Sequence, residues 1–453
     1  MAFFFCGIGG SGMSPLAQIM ASSGAAVKGS DRAYDNGQSK EKFTKLQGLG
    51  ITLFPQDGSG LETGDILVVS SAVEDTIPDV KAAKALNLNI MKRAELLATL
   101  FNQAETGIAV GGTSGKSSVT AMVGHILKEC GKQPDVINGA VMKNSTDGLG
   151  NVMLSKGNSG VMAIEADESD GSIALYKPAV SVLLNVSEDH KSFEELYQLF
   201  GDFIAAPKLG AVINLDCPHS AKIATRAKNA KTFSLTNRNA DFYAENITPT
   251  ASGVTFQLKN TAYTLLVPGK HNVANALAAI AAATLVGVET HAAATAMQKF
   301  QGVKRRLETL GTSKNITVID DFGHNPDKIT AGLNTLQEHA GRLLVMFQPH
   351  GFAPTRMMKK GLIEAFVSGL KKGDMLLMPE IYYAGGTTTK DISSKDVTDA
   401  VDTGGKSAKF FNTRADVGDF VVSHAQQGDR FVIMGARDDT LTDFGYDILN
   451  RLK

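Results

Sequence analysis

Short apolar runs rich in β-branched and aromatic residues alternate with helix-period segments along almost the whole chain, and the joins between them are often glycine. This alternation constrains the fold more than any other feature. Strands separated by helical crossovers build parallel sheets, and their tight turns need residues that tolerate positive φ. "AFFFCGIGGSGMSPLAQIMASSG" reads as strand, glycine turn and helix, "AAVKGSD" and "DILVVSSAV" as further strands, and "IAVGGTSGKSSVTAMVGHILKECG" restarts the pattern after residues 100–107. "VMAIEADESD", "PAVSVLLNVSEDH" and "GAVINLD" continue it, each an apolar run ending in polar residues. Residues 242–269 break the pattern, alternating and turning like an antiparallel meander. Beyond residues 300–311 the alternation resumes through "ITVIDDFGHNP", "RLLVMFQPHG", "DMLLMPEIYYAGG" and "DRFVIMGARDD". The 453 residues therefore read as three α/β domains, 1–104, 105–303 and 304–453, each long enough for its own core.

Composition excludes several classes. A formal net charge of −1 provides no global field to recruit nucleic acid or an anionic membrane. Cys6, Cys130 and Cys217 are odd in number and form no C-x-x-C pair, which argues for a reducing compartment without disulfides or structural zinc. "MAFFFCGIGG" is apolar but has no basic leader, and no stretch approaches the roughly 18 apolar residues of a membrane helix. The expectation is a cytoplasmic protein.

Two glycine loops carry the chemistry. Gly7, Gly9 and Gly12 form G-x-G-x-x-G between a strand and a helix, so Gly9, Gly10, Ser11, Gly12 and Met13 are expected to approach a diphosphate at the helix N-terminus. Asp31 ends the next strand, where a ribose-binding acid would sit. NAD and a nucleotide-sugar diphosphate ask the same of this backbone, and a tight turn asks little less. The second loop, "GGTSGKSSVT" (111–120), is one residue shorter than the usual G-x-x-x-x-G-K-[ST], because the first glycine would fall at Val110. It reads as a glycine-rich turn or as a nucleotide loop. In the latter, Gly112, Thr113, Ser114, Gly115 and Ser118 surround phosphates, Lys116 neutralises them and the Ser117 hydroxyl ligates Mg²⁺.

Acidic clusters follow two later strands. "EADESD" holds Glu165, Asp167, Glu168 and Asp170, and "NVSEDH" holds Glu188, Asp189 and His190. Carboxylates and a histidine at strand ends beside a phosphate loop suit Mg²⁺ bridging ATP oxygens, although either cluster alone reads equally as a solvated loop. In the last third, Asp321, His324, Asn325, His350 and Arg356 follow strands and are candidates to close over substrates. Asn272 and Asn275 suit an adenine edge or a helix cap, and Arg305 and Arg306 a phosphate clamp or plain surface charge.

In this order, these pieces resemble the Mur ligase family, ATP-dependent amino-acid and peptide ligases of cell-wall precursor synthesis, over essentially the whole chain. "GIGGSGMSPLA", "EADESD", "KRRLE", "DDFGHNP" and "FQPHGFAPTR" are most similar to its alanine-adding branch, and the murein-peptide recycling branch shares much of the pattern. The family's phosphate loop is the shorter G-T-x-G-K-[ST]. The resemblance implies a Rossmann-like N-terminal domain for a UDP-sugar diphosphate bound near Gly9–Met13 and Asp31. It implies a P-loop-type central ATPase domain with a small antiparallel β addition for ATP and Mg²⁺, and a Rossmann-like C-terminal domain for the amino acid or peptide acceptor. Lys116 would meet the β/γ-phosphates, with Ser117, Glu165 and His190 serving the metals. Asn272, Asn275, Arg305 and Asp321 would serve the nucleotide, and His324, His350 and Arg356 would face the substrates. Lys116, His190, His324 and Arg356 are then the catalytic set of an amide ligase working through an acyl phosphate. Addition of L-alanine to a UDP-N-acetylmuramate-type carboxylate leads. Peptide recycling or a non-catalytic nucleotide-binding relative are the alternatives, and monomer or weak dimer stays open. Four features depart from the family pattern: Ser114 and Asn325 replace histidines, the stretch "KSFEEL" follows the D-H pair, and Ala205 stands where other branches carry a carbamoylated lysine, an absence that agrees with the alanine-adding side.

Overall fold

The apolar runs become the strands of three mainly parallel sheets. The computed structural model describes residues 1–70, 73–155, 160–169, 171–187, 191–250, 253–383, 389–436, 438 and 440–453. Residues 1–303 form one compact unit and residues 304–453 a second.

In the first sheet, β1 (Phe3–Cys6), β2 (Val27–Ser30), β3 (Thr52–Phe54), β4 (Ile66–Val69) and β5 (Asn89–Lys92) lie in the order 3-2-1-4-5, all parallel. Strand order reverses beside β1, which opens a crevice at the carboxyl ends where such sheets take ligands. Phe4, Phe5, Leu67 and Val68 are buried, as expected for central strands covered on both faces.

The second sheet contains β6 (Thr106–Gly111), β7 (Asp135–Ile137), β8 (Val152–Met153), β9 (Val161–Glu165), β10 (Val180–Leu183), β11 (Gly210–Asn214), β12 (Ala230–Ser234), β13 (Phe242–Thr250), β14 (Gly253–Leu258) and β15 (Thr261–Leu265). Their order is 15-14-13-12-11-10-6-9-7-8. The meander read from residues 242–269 is present, but it does not stand apart. Phe233 and Ser234 of β12 pair in parallel with Phe242 and Tyr243 of β13, and β14 and β15 extend the same sheet antiparallel. Phe242, Ala244, Val254, Phe256, Leu258, Tyr263 and Leu265 turn inward and join the core under the alanine-rich helix Lys270–Leu285. On the opposite face a single apolar cluster runs from Phe5, Ile8, Leu16 and Phe101 to Ile137, Val152, Leu183 and Phe200, so the first two sheets share a core.

The second unit is built on β16 (Glu308–Ser313), β17 (Ile316–Asp321), β18 (Leu343–Phe347), β19 (Met375–Pro379), β20 (Ser407–Phe411) and β21 (Arg430–Met434), in the order 16-17-21-18-19-20. Only β16 runs antiparallel, and apolar clusters lie on both faces. Among the described residues, no helix is long and apolar enough to cross a membrane.

Candidate functional site

Register brings the central motifs together. Val110 of β6 lies opposite Glu165 of β9, and Gly111 lies opposite Leu183 of β10. The phosphate loop therefore leaves the sheet between Glu165, at the end of β9, and Leu183, at the end of β10. Gly112 at φ +131° and Gly115 at φ +90° make the turns, and a Cβ on Gly115 would lie 3.1 Å from Asn275 Oδ1. Lys116 opens the helix Lys116–Glu129. Its Nζ donates to Gly112 O at 2.8 Å and to Glu168 Oε2 at 2.5 Å, with Asp167 Oδ1 at 3.9 Å. Burial works to raise the Asp167 carboxyl, but the Lys116 charge and hydrogen bonds from Ser169 prevail and hold it below its ordinary value.

In the first turn of this helix, Ser117 Oγ donates to Glu165 Oε2 at 3.1 Å, and the other Glu165 oxygen accepts Gly139 N at 2.5 Å. Ser118, half-buried, shares the first turn. Two of the three residues read as metal ligands thus meet. His190, with Glu188, Asp189 and Asp170, lies outside the described residues, and among those described no group of three His, Cys, Asp or Glu side chains is gathered as a metal cage. Asn272 Nδ2 donates to Pro268 O at 2.7 Å, and Asn275 Nδ2 to Asn272 Oδ1 at 3.2 Å; both amides lie on the first turns of Lys270–Leu285, and Asn275 faces Gly115 of the loop.

Sequence reasoning missed the residue that shapes the loop. Asn185, just beyond β10, accepts Thr113 Oγ1 and Ser114 N on its Oδ1, both at 2.8 Å, and donates Nδ2 to Ser114 O at 3.0 Å. Ser114 is thereby held through its backbone, which accommodates serine in place of the histidine of the family pattern. Asn138 was also missed; its Nδ2 donates to Ser117 O at 2.9 Å. The only signal for either was an amide side chain close to a strand end.

The N-terminal loop is equally organised. Gly7 sits at φ +74°, and Gly7 N and Ile8 N both donate to Ser30 O at 2.9 Å. Asp31 is spent within the protein: Oδ2 accepts Gly9 N at 2.8 Å and Oδ1 accepts Ala33 N at 2.8 Å. A Cβ on Gly9 would lie 2.9 Å from Asp31 Oδ2, and one on Gly12 3.2 Å from Arg93 Cδ. Gly10 O accepts Met13 N and Ser14 N at the start of the helix Met13–Ser22, and Met13 is buried. The N–H groups of Ser11 and Gly12 have no acceptor among the described residues, an arrangement suited to an anion.

In the second unit, Asp321 and Phe347 both lie opposite Met434, so the loops after β17 and β18 emerge at one edge of the sheet on either side of β21. His324 Nδ1 lies 2.9 Å from Phe322 O. The His350 ring stands 5.3 Å from that of Tyr382. Arg356 pairs with Asp391 and donates to Thr389 O at 3.0 Å. Asn325 is the N-cap of the helix Pro326–Leu336, accepting Lys328 N at 2.9 Å, a position where asparagine is among the favoured residues. Asp321 is buried, accepts Leu307 N at 2.9 Å and Gly323 N at 3.0 Å, and burial pushes its carboxyl up. Arg305 is an internal strut rather than an exposed clamp: it donates to Asp320 Oδ1 at 3.2 Å, Asp438 O at 3.1 Å and Gly435 O at 2.8 Å.

A cavity of about 690 Å³ lined by Glu129, Cys130, Lys132, His291 and Lys299 lies at the far, C-terminal end of the helix Lys116–Glu129, away from this site.

Parallel sheets carrying two glycine loops, one with its lysine and serine set against carboxylates, define an α/β phosphate-loop protein. Residues 3–105 match the Mur ligase family catalytic domain, residues 110–283 the Mur ligase middle domain and residues 305–437 the Mur ligase glutamate ligase domain. The chain belongs to the Mur ligase family. It is 36% identical over 410 residues to the UDP-N-acetylmuramate–L-alanine ligase of Dictyoglomus turgidum, covering 88% of this chain and 85% of that protein. To the enzyme of the same name from Caldicellulosiruptor saccharolyticus it is 32% identical, covering 96% of each. The crystal structure of the UDP-N-acetylmuramate–alanine ligase of Thermotoga maritima superposes with a TM-score of 0.81 at 26% identity, covering 100% of this chain and 99% of that one.

Proposed function

We propose that this protein is a cytoplasmic ligase that joins L-alanine to the lactyl carboxylate of UDP-N-acetylmuramate, driven by ATP. One observation carries the reading: a phosphate loop whose Lys116 and Ser117 face Glu168 and Glu165, in a chain that aligns along 96% of its length with an L-alanine ligase. A carboxylate is a poor electrophile. In the proposed reaction its oxygen attacks the γ-phosphorus of ATP, the bond to the β–γ bridging oxygen breaks, and ADP leaves an acyl phosphate. The alanine amine then attacks the acyl carbon and loses a proton, and phosphate departs.

Lys116 would offset charge on the transferring phosphoryl group. Gly112, Thr113, Ser114, Gly115 and Ser118 would surround the phosphates, with Asn272 and Asn275 toward the nucleoside. Ser117 and Glu165 bring hard oxygen donors to 3.1 Å, a donor set that fits Mg²⁺. With His190 as a further proposed ligand, they would hold an ion that, when bound, offsets charge on the phosphate oxygens. The Ser11 and Gly12 amides would receive the donor's diphosphate. His324, His350 and Arg356 are proposed to serve the incoming amino acid.

Phosphate release from ATP in the presence of UDP-N-acetylmuramate, screened across amino acids and peptides, tests the reading. L-alanine is the expected acceptor. Release with a murein tripeptide but not with L-alanine would replace it by the recycling activity.

A further inference from the structure

Gln18, in the middle of the helix Met13–Ser22, is fully buried. A buried amide side chain must find partners for its N–H groups and its oxygen. Gln18 Nε2 donates to Ser14 O at 3.0 Å and to Asn151 Oδ1 at 3.2 Å, while its Oε1 accepts Leu149 N at 2.9 Å. Gly148 adopts φ +50°, and a Cβ there would run into Gln18 Oε1, so the close approach depends on a glycine.

Hydrogen bonds continue from this amide in both directions. Toward the N-terminal loop, Ser14 N donates to Gly10 O at 2.9 Å. Toward the phosphate loop, Asn151 O accepts Asn138 N at 3.0 Å, Asn138 Nδ2 donates to Ser117 O at 2.9 Å, and Gly139 N donates to Glu165 Oε1 at 2.5 Å. All these bonds lie within the first compact unit, residues 1–303.

We infer that Gln18 is a positioning residue that couples the two glycine loops, so that the nucleotide sugar and ATP each strengthen the binding of the other. The inference rests on the assignment above of the UDP-sugar to residues 7–13 and of ATP to residues 111–118. An anion docking on the amides that open the helix Met13–Ser22 pulls on that helix. Gln18 is the side chain through which the helix is hydrogen-bonded to the segment 138–151, and that segment holds the Ser117 carbonyl and the Glu165 carboxylate. In a close-packed interior such a displacement is passed on rather than absorbed, and a satisfied buried polar network transmits it with direction. A continuous set of bonds establishes a route; coupling itself is a free energy that binding must measure.

The test is calorimetric titration of the full chain with the β,γ-methylene analogue of ATP and Mg²⁺, with and without saturating UDP-N-acetylmuramate, and the reciprocal titration. The wild-type protein is expected to show synergy within the usual range of about 5–150-fold, equal in the two directions. Gln18→Leu, similar in size but unable to hydrogen-bond, should bring that factor close to one while each ligand alone still binds. Asn151→Ala removes the Gln18 Nε2–Asn151 bond but leaves Leu149 N on Gln18 Oε1, so it should lower the factor in part; circular dichroism and thermal melting confirm that each variant is folded, and an unreduced factor in Asn151→Ala overturns the coupling if Gln18→Leu does not fold. Absence of synergy in the wild type, or full synergy in a folded variant, overturns the coupling while leaving the proposed function standing. A wild-type protein that binds neither nucleotide overturns the functional assignment and the coupling with it.

Discussion

Lys116 Nζ lies 2.5 Å from Glu168 Oε2, so the cation of the phosphate loop is fixed by an acidic strand end that is itself buried. Lysine and carboxylate depend on each other, and removing either exposes what the other was doing.

Lys116→Met should slow ATP-dependent ligation about a hundredfold, on the order of 3 kcal/mol, because one preorganised positive group is lost from the phosphoryl-transfer step. It should also destabilise the fold by about 1–3 kcal/mol by leaving Glu168 without its partner. The pH dependence has a definite sign. The Asp167 carboxyl is held below its ordinary value, so its contribution is present above about pH 4 and is lost as pH falls through the folded value. The stability gap between parent and variant should therefore be full at pH 6 and shrink toward pH 3. Thermal melts across that range, with parental turnover or a gap that widens in acid, would refute the assignment.

Asn185→Ala removes the three side-chain hydrogen bonds that shape Thr113 and Ser114. Losing about 1 kcal/mol of net loop order for each bond at most, the variant should show a KM for ATP raised about tenfold or more, with a smaller change in KM for the sugar nucleotide. Steady-state kinetics with each substrate varied separately decide it, and equal effects on both would make Asn185 a general stabiliser.

Why Asn185 escaped notice while Lys116 did not is a matter of range. The glycines, Lys116 and Ser117 are contiguous, and the apolar runs that end at Gly111, Glu165 and Leu183 mark three adjacent strand ends, so loop and acidic clusters were legible from local pattern. Asn185 acts on residues more than 70 positions away, and nothing near it in the chain distinguishes it from a loop cap. Arg305 and Arg306 show the same limit: adjacent and chemically identical in the sequence, they differ in burial, which only tertiary structure decides. The meander was visible as alternation, but its parallel join to β12 depends on Phe233 meeting Phe242.

Cys6 and Asp79 make a further pair of predictions in the N-terminal sheet. Burial, reinforced by the neighbouring Asp79 carboxylate, pushes the Cys6 thiol up to about 12. In the native protein at pH 8, Cys6 should resist iodoacetamide and become reactive only on unfolding, a difference that peptide mass mapping reads directly. Asp79 accepts hydrogen bonds from Ser30 Oγ and Gly58 N, yet burial raises its carboxyl above the ordinary value. A raised acid stabilises the fold below its unfolded pKa and loses that contribution as pH rises through the folded value. Asp79→Asn should therefore gain stability relative to the parent as pH rises from 4 to 8. A relative loss over that interval would show that the carboxylate form is the one the fold prefers.

Arg305→Met tests the internal strut. The guanidinium pairs with Asp320, which has no exposed surface, and also holds the carbonyls of Gly435 and Asp438. Breaking a buried pair from one side costs about 3–5 kcal/mol, far more than loss of a surface cation. Burial already pushes the Asp320 carboxyl up, with Arg305 as the main opposing influence, so without the arginine it should take up a proton more readily still. Protonation relieves the unpaired charge, so the destabilisation of Arg305→Met should be largest near neutral pH and smaller near pH 4. Arg306→Met, removing the neighbouring and less buried cation, serves as the control and should cost less stability. Denaturant unfolding of both variants at the two pH values measures this, and an Arg305 variant as stable as the parent at neutral pH would return the residue to the role of a binding cation.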